Sequence, residues 1–336
     1  MDIWLPKERK VLLAQFLDTT MAQDVDPTGK DSFVKDFWRK KTYTKDSDKL
    51  LPFMNRDFSE PYMVAQHYCG GTWNDYNQPF IVQVAQCNLA CRWCFVPHRL
   101  RDASEGRYFS AKGVVELFGQ NTPEDHGILR ISGGEPFLAP DFLIDIGKQM
   151  AKLPAHKYYL WIDTNLCGKD YDRVISALSH ERIPFGVCGC FKGFDRHTFV
   201  ANMEDQFVHE HDTATLFASQ FIHARIILEW LNNYPHGQGE LFFYVPEIVY
   251  HVKPFIKTLV NSFIERLSNE VHINAPLRTT VLRVKEYDSN KGAITADRVE
   301  SRLTKQIWNE CVEAKYPLEL RWIPQYQVSM QLEKEG

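Results

Sequence analysis

Three cysteines, Cys87, Cys91 and Cys94, share the short loop Gln86-Cys87-Asn88-Leu89-Ala90-Cys91-Arg92-Trp93-Cys94. A loop of this length can wrap one metal centre and turn all its sulfurs inward. Thiolates are soft ligands, and a cage of them selects zinc or an iron–sulfur cluster. A structural zinc site wants four closed ligands, and the nearest candidate for a fourth is His98. Three thiolates alone suit a [4Fe–4S] cluster with one iron left open, and an open iron is a reaction site.

Other polar clusters punctuate the chain after it. Ser132-Gly133-Gly134-Glu135-Pro136 is a turn whose glycines let backbone approach a ligand closely; it also reads as an ordinary strand-to-helix turn. Trp161-Ile162-Asp163-Thr164-Asn165 closes an apolar run. Alternation puts Asp163 and Asn165 on one face of a strand, where they suit ribose hydroxyls or a cationic ligand, or serve as a cap. In Cys188-Gly189-Cys190-Phe191-Lys192, alternation groups Cys188, Cys190 and Lys192. A strand-end amine is a sensible anchor for a carboxylate. The two cysteines read as small filling, or as a hydrogen-atom donor near a radical. His209-Glu210-His211-Asp212 looks like a ligand set but precedes a helix on a charged stretch, and is expected to lie at the surface or cap that helix. The cationic run Val96 to Asp102 reads as a solvated loop that could touch substrate, and Cys69 as a buried apolar residue.

The CxxxCxxC loop, with Trp93 just before its last cysteine, resembles the radical S-adenosylmethionine superfamily. The resemblance implies that the open iron chelates the amino and carboxylate groups of S-adenosylmethionine. Reductive cleavage then yields a 5′-deoxyadenosyl radical that takes a hydrogen atom from substrate. It implies that Gly133, Gly134 and Glu135, as the GGEP motif, bind the amino group, and that Asp163 and Asn165 face the nucleoside or methionyl part. Lys192 matches a lysine that meets the carboxylate in the glycyl-radical activating enzymes, whose Asp-Thr-Asn triplet is also similar. Cys190 stands where that branch has an aspartate. The expected target is a glycine of a partner protein, the alternative a peptide or small metabolite, and the expected electron donor a reductant such as flavodoxin or ferredoxin. A zinc-stabilised binding module is the non-enzymatic alternative.

The elements around these motifs alternate. Phe80–Ala85, Gly127–Ser132, Tyr158–Thr164, Pro184–Lys192, Leu241–Val245 and Val271–Ala275 read as strands. Helices are expected near 111–118, 142–150, 171–178, 217–231 and 254–267. Strand–helix alternation predicts a parallel sheet with right-handed crossovers. The fold class is therefore α/β, a partial (βα)6 TIM-like barrel with its site at the strands' C-terminal ends, which the resemblance also implies. Residues 1–78 are expected to form a helical and irregular prelude, with stripes Val11, Leu12, Phe16, Leu17 and Phe33, Val34, Phe37, Trp38, the second capped by Ser32. The barrel is expected over 79–278. A C-terminal α+β extension, 279–336, holds 281–287, a helical stripe (Val299, Leu303, Ile307, Cys311) and 318–323.

Composition supports one sizeable core. The 336 residues are 44% hydrophobic and carry a net charge of −4 with no basic run, which points away from nucleic acid. No secretory signal or membrane span is readable. Eight cysteines, three of them packed together, do not form a disulfide framework, so a cytoplasmic, reducing home is expected.

Overall fold

The computed structural model describes residues 4–14, 32–35, 38–41, 65–66, 68–71, 76, 79–94, 96, 106–122, 126–233, 239–246, 255–273, 275, 279–282 and 298–315. The chain divides into two compact units. One comprises Met1–Asn88, Phe95–Thr164 and Gly168–Val187; the other Leu89–Cys94, Asn165–Cys167 and Cys188–Gly336.

The first unit opens with short strands β1 (Trp4–Leu5), β2 (Lys10–Ala14), β3 (Ser32–Lys35) and β4 (Trp38–Lys41). Its central strands are β5 (Phe80–Val84), β7 (Gly127–Gly133) and β8 (Tyr158–Thr164), with β6 (Gly106–Ser110) before β7. β5, β7 and β8 are parallel neighbours in the registers Ile81↔Arg130 and Arg130↔Trp161. Helices α1 (Ala111–Asn121), α2 (Pro140–Met150) and α3 (Tyr171–His180) fill the connections, and β9 (Phe185–Cys190) follows β8 in the sheet. α1 starts where the Ser110 hydroxyl accepts from the Gly113 N–H, and it buries Ala111, Val114, Val115 and Phe118 at helical spacing. Pro140 and Asp141 open α2, as a missing N–H and a negative charge favour at a helix start.

β9 runs on into the second unit. There follow α4 (Arg196–Ala201), α5 (Asp205–Glu210), α6 (Thr213–Asn233), β10 (Gly239–Pro246), α7 (Ile256–Glu270), β11 (Thr279–Leu282) and α8 (Arg298–Lys315). Asp195 and Thr198 form a reciprocal capping box at α4. β10 and β11 are parallel, Phe243 facing Thr279. The core of this unit is aromatic: Phe263 lies 5.4 Å from Phe191, 5.3 Å from Phe194 and 6.2 Å from Trp308, ring to ring. Burying each such phenyl ring contributes about 1.5–3 kcal/mol.

The fold class is thus the α/β one expected, with parallel strands and helical crossovers in the order of a partial barrel. The local departures lie at its ends. Val11 and Leu12 belong to β2, not to a helix, and are fully buried. Phe33, Val34 and Trp38 lie in the β3–β4 pair, with Ser32 opening β3 rather than capping a helix. β2 pairs antiparallel with β5 and β6, and β4 with β5; these long-range pairings leave no local trace. Phe16, Leu17 and Phe37 fall outside the described residues. The strand expected at 271–275 is absent among the described residues there: Val271 ends α7 in αR geometry and Ile273 is 61% exposed. The sixth strand is β11, which takes in Val281. The C-terminal stripe is the helix α8 as expected, and 318–323 lies outside the described residues.

Candidate active site

The first unit holds Cys87 and the Gly-Gly-Glu turn, and the main chain joins them. Gly134 N–H donates to Val84 O at 2.8 Å, and Glu135 N–H to Gln86 O at 2.9 Å. Gly133 has φ +101°, and a Cβ there would lie 2.7 Å from Val84 O. A Cβ on Gly134 would lie 1.5 Å from Gln86 O. Only glycine allows the turn to lie on the residue that precedes the first cysteine.

Glu135 is fully buried, and its carboxylate is engaged inside its own turn. Oε1 accepts from Phe137 N–H at 2.9 Å and from the Thr164 hydroxyl at 2.8 Å. Because Thr164 gives its proton to Glu135, Tyr171 OH donates to Thr164 Oγ1 (2.6 Å) and accepts from Gly168 N–H (3.1 Å). The Tyr171 ring stacks on Phe137 with centroids 4.0 Å apart. Thr164, the middle of the Asp-Thr-Asn triplet, therefore ties the end of β8 to the glycine turn.

On the face defined by Arg130↔Trp161 and Gln83↔Ser132, the Arg130 guanidinium lies 4.5 Å from the Trp161 ring centroid. Its Nε donates to Asp163 Oδ2 at 2.7 Å. Asp163 Oδ1 and Gln83 Oε1 are buried acceptors with no hydrogen-bond partner among the described residues. Asp163 is thus committed on one oxygen to Arg130, a residue the sequence reading did not single out.

The second unit holds Cys91, Trp93, Cys94, Asn165 and Lys192. The cysteine loop is braced by the 202–205 segment: Arg92 N–H donates to Asn202 O at 2.9 Å and Glu204 N–H to Ala90 O at 2.9 Å. Cys91 forms an isolated bridge with Met203, while the Arg92 side chain donates to Met203 O at 2.6 Å and pairs with Asp205. Cys94 N–H turns back onto Cys91 O at 3.1 Å. The Lys192 ammonium lies 4.9 Å from the Trp93 ring centroid, so the expected anchor stands beside the cysteine loop. Asn165 Oδ1 accepts from Cys167 N–H at 2.7 Å, a local turn that fixes the side chain.

Gln220 of α6, fully buried, joins these parts and was not found from sequence. Its signal was present: it sits on the apolar stripe Phe217, Phe221, Ala224 and Leu228, where a polar residue needs partners. Cys188 is buried and Cys190 partly exposed in β9. Cys69 is buried as expected, which pushes its thiol up to about 12. Asp212 caps α6 by accepting from Ala214 and Thr215 N–H, and hydrogen bonds from Thr215 hold its carboxyl below the usual range. Of the cationic run after the cysteines, only Val96 is described.

Among the described residues, no three metal-ligating side chains converge on a point where a single ion could sit. A cluster asks for less convergence, since each thiolate ligates its own iron. The three thiols, none of them in a disulfide, fit that donor set.

Residues 79–177 match the family described as a 4Fe-4S single cluster domain. The matched stretch carries the cysteine loop, the glycine turn and the Asp-Thr-Asn triplet, and the match supports a [4Fe–4S] cluster there. The chain is 46% identical over 66 residues to a 7-carboxy-7-deazaguanine synthase of Methanothermobacter thermautotrophicus, covering 19% of this chain and 26% of that protein. It is 30% identical over 98 residues to the synthase of that name from Neisseria meningitidis serogroup B, covering 29% and 40%. The chain thus matches between about a quarter and two fifths of the length of these relatives. No helix among the described residues is long and apolar enough to cross a membrane.

Proposed function

We propose that this protein is a radical S-adenosylmethionine enzyme whose substrate is a small metabolite. The observation that carries the reading is the main-chain seam between Gly134–Glu135 and Val84–Gln86, which sets the glycine turn against the entry to the cysteine loop. Cys87, Cys91 and Cys94 hold the cluster. Lys192 supplies a cation for the carboxylate of S-adenosylmethionine, Trp93 shields that cation from water and Asn165 orients the rest of the molecule; the 133–135 turn is assigned to the amino group by resemblance alone. When bound, cluster and cofactor supply one electron and a 5′-deoxyadenosyl radical that removes a hydrogen atom from substrate. A flavodoxin- or ferredoxin-like reductant is the electron source.

A metabolite is favoured over a partner-protein glycine because the relatives are synthases of a small deazaguanine acid, and because Cys190 replaces the aspartate of the activase triplet. The acceptors Gln83 Oε1 and Asp163 Oδ1, without a partner among the described residues, suit a substrate that carries N–H donors.

Anaerobic reconstitution with iron and sulfide, then dithionite and S-adenosylmethionine, is expected to give about four irons per chain and 5′-deoxyadenosine. Replacing any of Cys87, Cys91 or Cys94 by alanine abolishes both. Zinc in place of iron overturns the reading. For the substrate class, the low-molecular-mass fraction of a cell extract stimulates 5′-deoxyadenosine release and the macromolecular fraction does not; the reverse restores the activase.

A further inference from the structure

Lys192 and Asn165 lie on different strand ends, yet one buried side chain holds both. Gln220 Nε2 donates to Asn165 O at 2.5 Å and to Cys190 O at 3.3 Å, and its Oε1 accepts from Lys192 N–H at 3.2 Å. One N–H and two carbonyls face this amide, so its orientation is fixed by what it must satisfy. Asn202 completes the brace. Its Nδ2 donates to Lys192 O at 2.9 Å, and its own carbonyl accepts from Arg92 N–H in the cysteine loop. The peptide of Lys192 is therefore bonded on both sides, by Gln220 at its N–H and Asn202 at its carbonyl. Both residues are buried, Gln220 at 0% and Asn202 at 4% exposure, and the bonds they make here go to main chain.

We propose that Gln220 is a positioning residue for S-adenosylmethionine. It sets the depth of Lys192 above Trp93 and locks the 165–167 turn to the 190–192 segment, so that cation and amide meet the methionyl group together. The inference rests on the proposed radical S-adenosylmethionine function. Without the amide, the two strand ends lose their shared partner, and the Lys192 side chain samples positions off the ligand at an entropic cost to binding. The cysteines do not depend on Gln220, so cluster loading is untouched.

The test uses the anaerobically reconstituted full chain. Gln220→Met keeps an unbranched side chain of similar volume. It should retain the iron content of the wild type, raise the dissociation constant for S-adenosylmethionine about tenfold, and blunt the change in the electron paramagnetic resonance spectrum of the reduced cluster on adding the cofactor. Lys192→Ala weakens binding more, and the double variant loses less than the two single losses combined, because part of the Gln220 effect runs through Lys192. Additive losses, or an unchanged dissociation constant, overturn the proposal. Should Gln220→Met not fold, hydrogen exchange on the wild type decides. S-adenosylmethionine should slow exchange at 165–167, at 190–192 and across 217–223 together; slowing confined to the cysteine loop overturns the proposal. A wild type that loads iron but binds no S-adenosylmethionine by either measurement refutes the functional reading itself, an outcome distinct from wild-type binding that Gln220→Met leaves intact.

Discussion

The two units hold their candidate residues by different means. Around Gly133–Glu135 the parts are backbone: two main-chain hydrogen bonds join the turn to the cysteine-loop entry, and the glycines admit no Cβ. Around Lys192 the parts are side chains, held by the amides of Gln220 and Asn202. A backbone seam has no slack, because a change in it must move the chain. A side-chain brace can be removed while its surroundings keep their fold. Substitutions in the first region should therefore lose stability, cluster and cofactor binding together, whereas those in the second should separate binding from stability.

The largest effect is expected for Gly134→Ala. A methyl group 1.5 Å from Gln86 O has to displace the main chain next to Cys87, with a penalty on the order of 3 kcal/mol or more. Thermal unfolding and iron per chain should fall together. A Gly134→Ala protein with normal melting and full iron would erase the distinction between the regions.

Glu135 sharpens it. By resemblance its carboxylate meets the amino group of S-adenosylmethionine, yet in the structure it serves Phe137 N–H and Thr164 OH. Glu135→Ala removes a buried acceptor from both donors and should destabilise by about 1–3 kcal/mol. Glu135→Gln keeps one oxygen in place and should destabilise by about 1 kcal/mol or less. If melting alone follows this order, the carboxylate is part of the seam. A Glu135→Gln protein that melts as wild type but binds the cofactor weakly would place the charge on the ligand instead.

The same contrast explains what the sequence disclosed. Glycines, cysteine spacing and strand–helix alternation are local patterns, so the cysteine loop, the glycine turn and the strands from Phe80 to Cys190 were legible. Gln220 acts across 55 residues to Asn165, and a glutamine within an apolar stripe announces a need for partners without naming them. Arg130 looked like any strand arginine until register set it beside Trp161 and Asp163. The N-terminal misreading has the same origin. Val11-Leu12-Leu13 is a continuous apolar run, which periodicity assigns equally to a buried strand or a helix, and its β5 and β6 partners are remote in sequence. At Val271 and Ile273, alternation mimicked a strand, but no neighbouring strand pairs them among the described residues.

The smallest expected effect concerns pH and belongs to the second unit alone. His223 Nδ1–H donates to Leu166 O at 2.7 Å, next to Asn165. Burial lowers its pKa from the usual 6.5, the hydrogen bond opposing this only in part. The unfolded chain therefore takes up a proton that the folded one refuses. Stability is flat above 6.5, declines as pH falls from there to the lowered folded pKa, and is flat again below it, once both states are protonated. His272, lowered by burial too, adds a decline in the same window. His223→Gln keeps a donor but removes the titration, so its melting temperature should fall less than that of the wild type between about pH 6.5 and 5. The residual slope then belongs in part to His272. Because an imidazolium keeps its Nδ1–H, protonation leaves the bond to Leu166 O in place, and cofactor binding should weaken equally in the wild type and His223→Gln as pH falls. That outcome would confine His223 to stability, and leave Gln220 as the side chain through which α6 reaches the site.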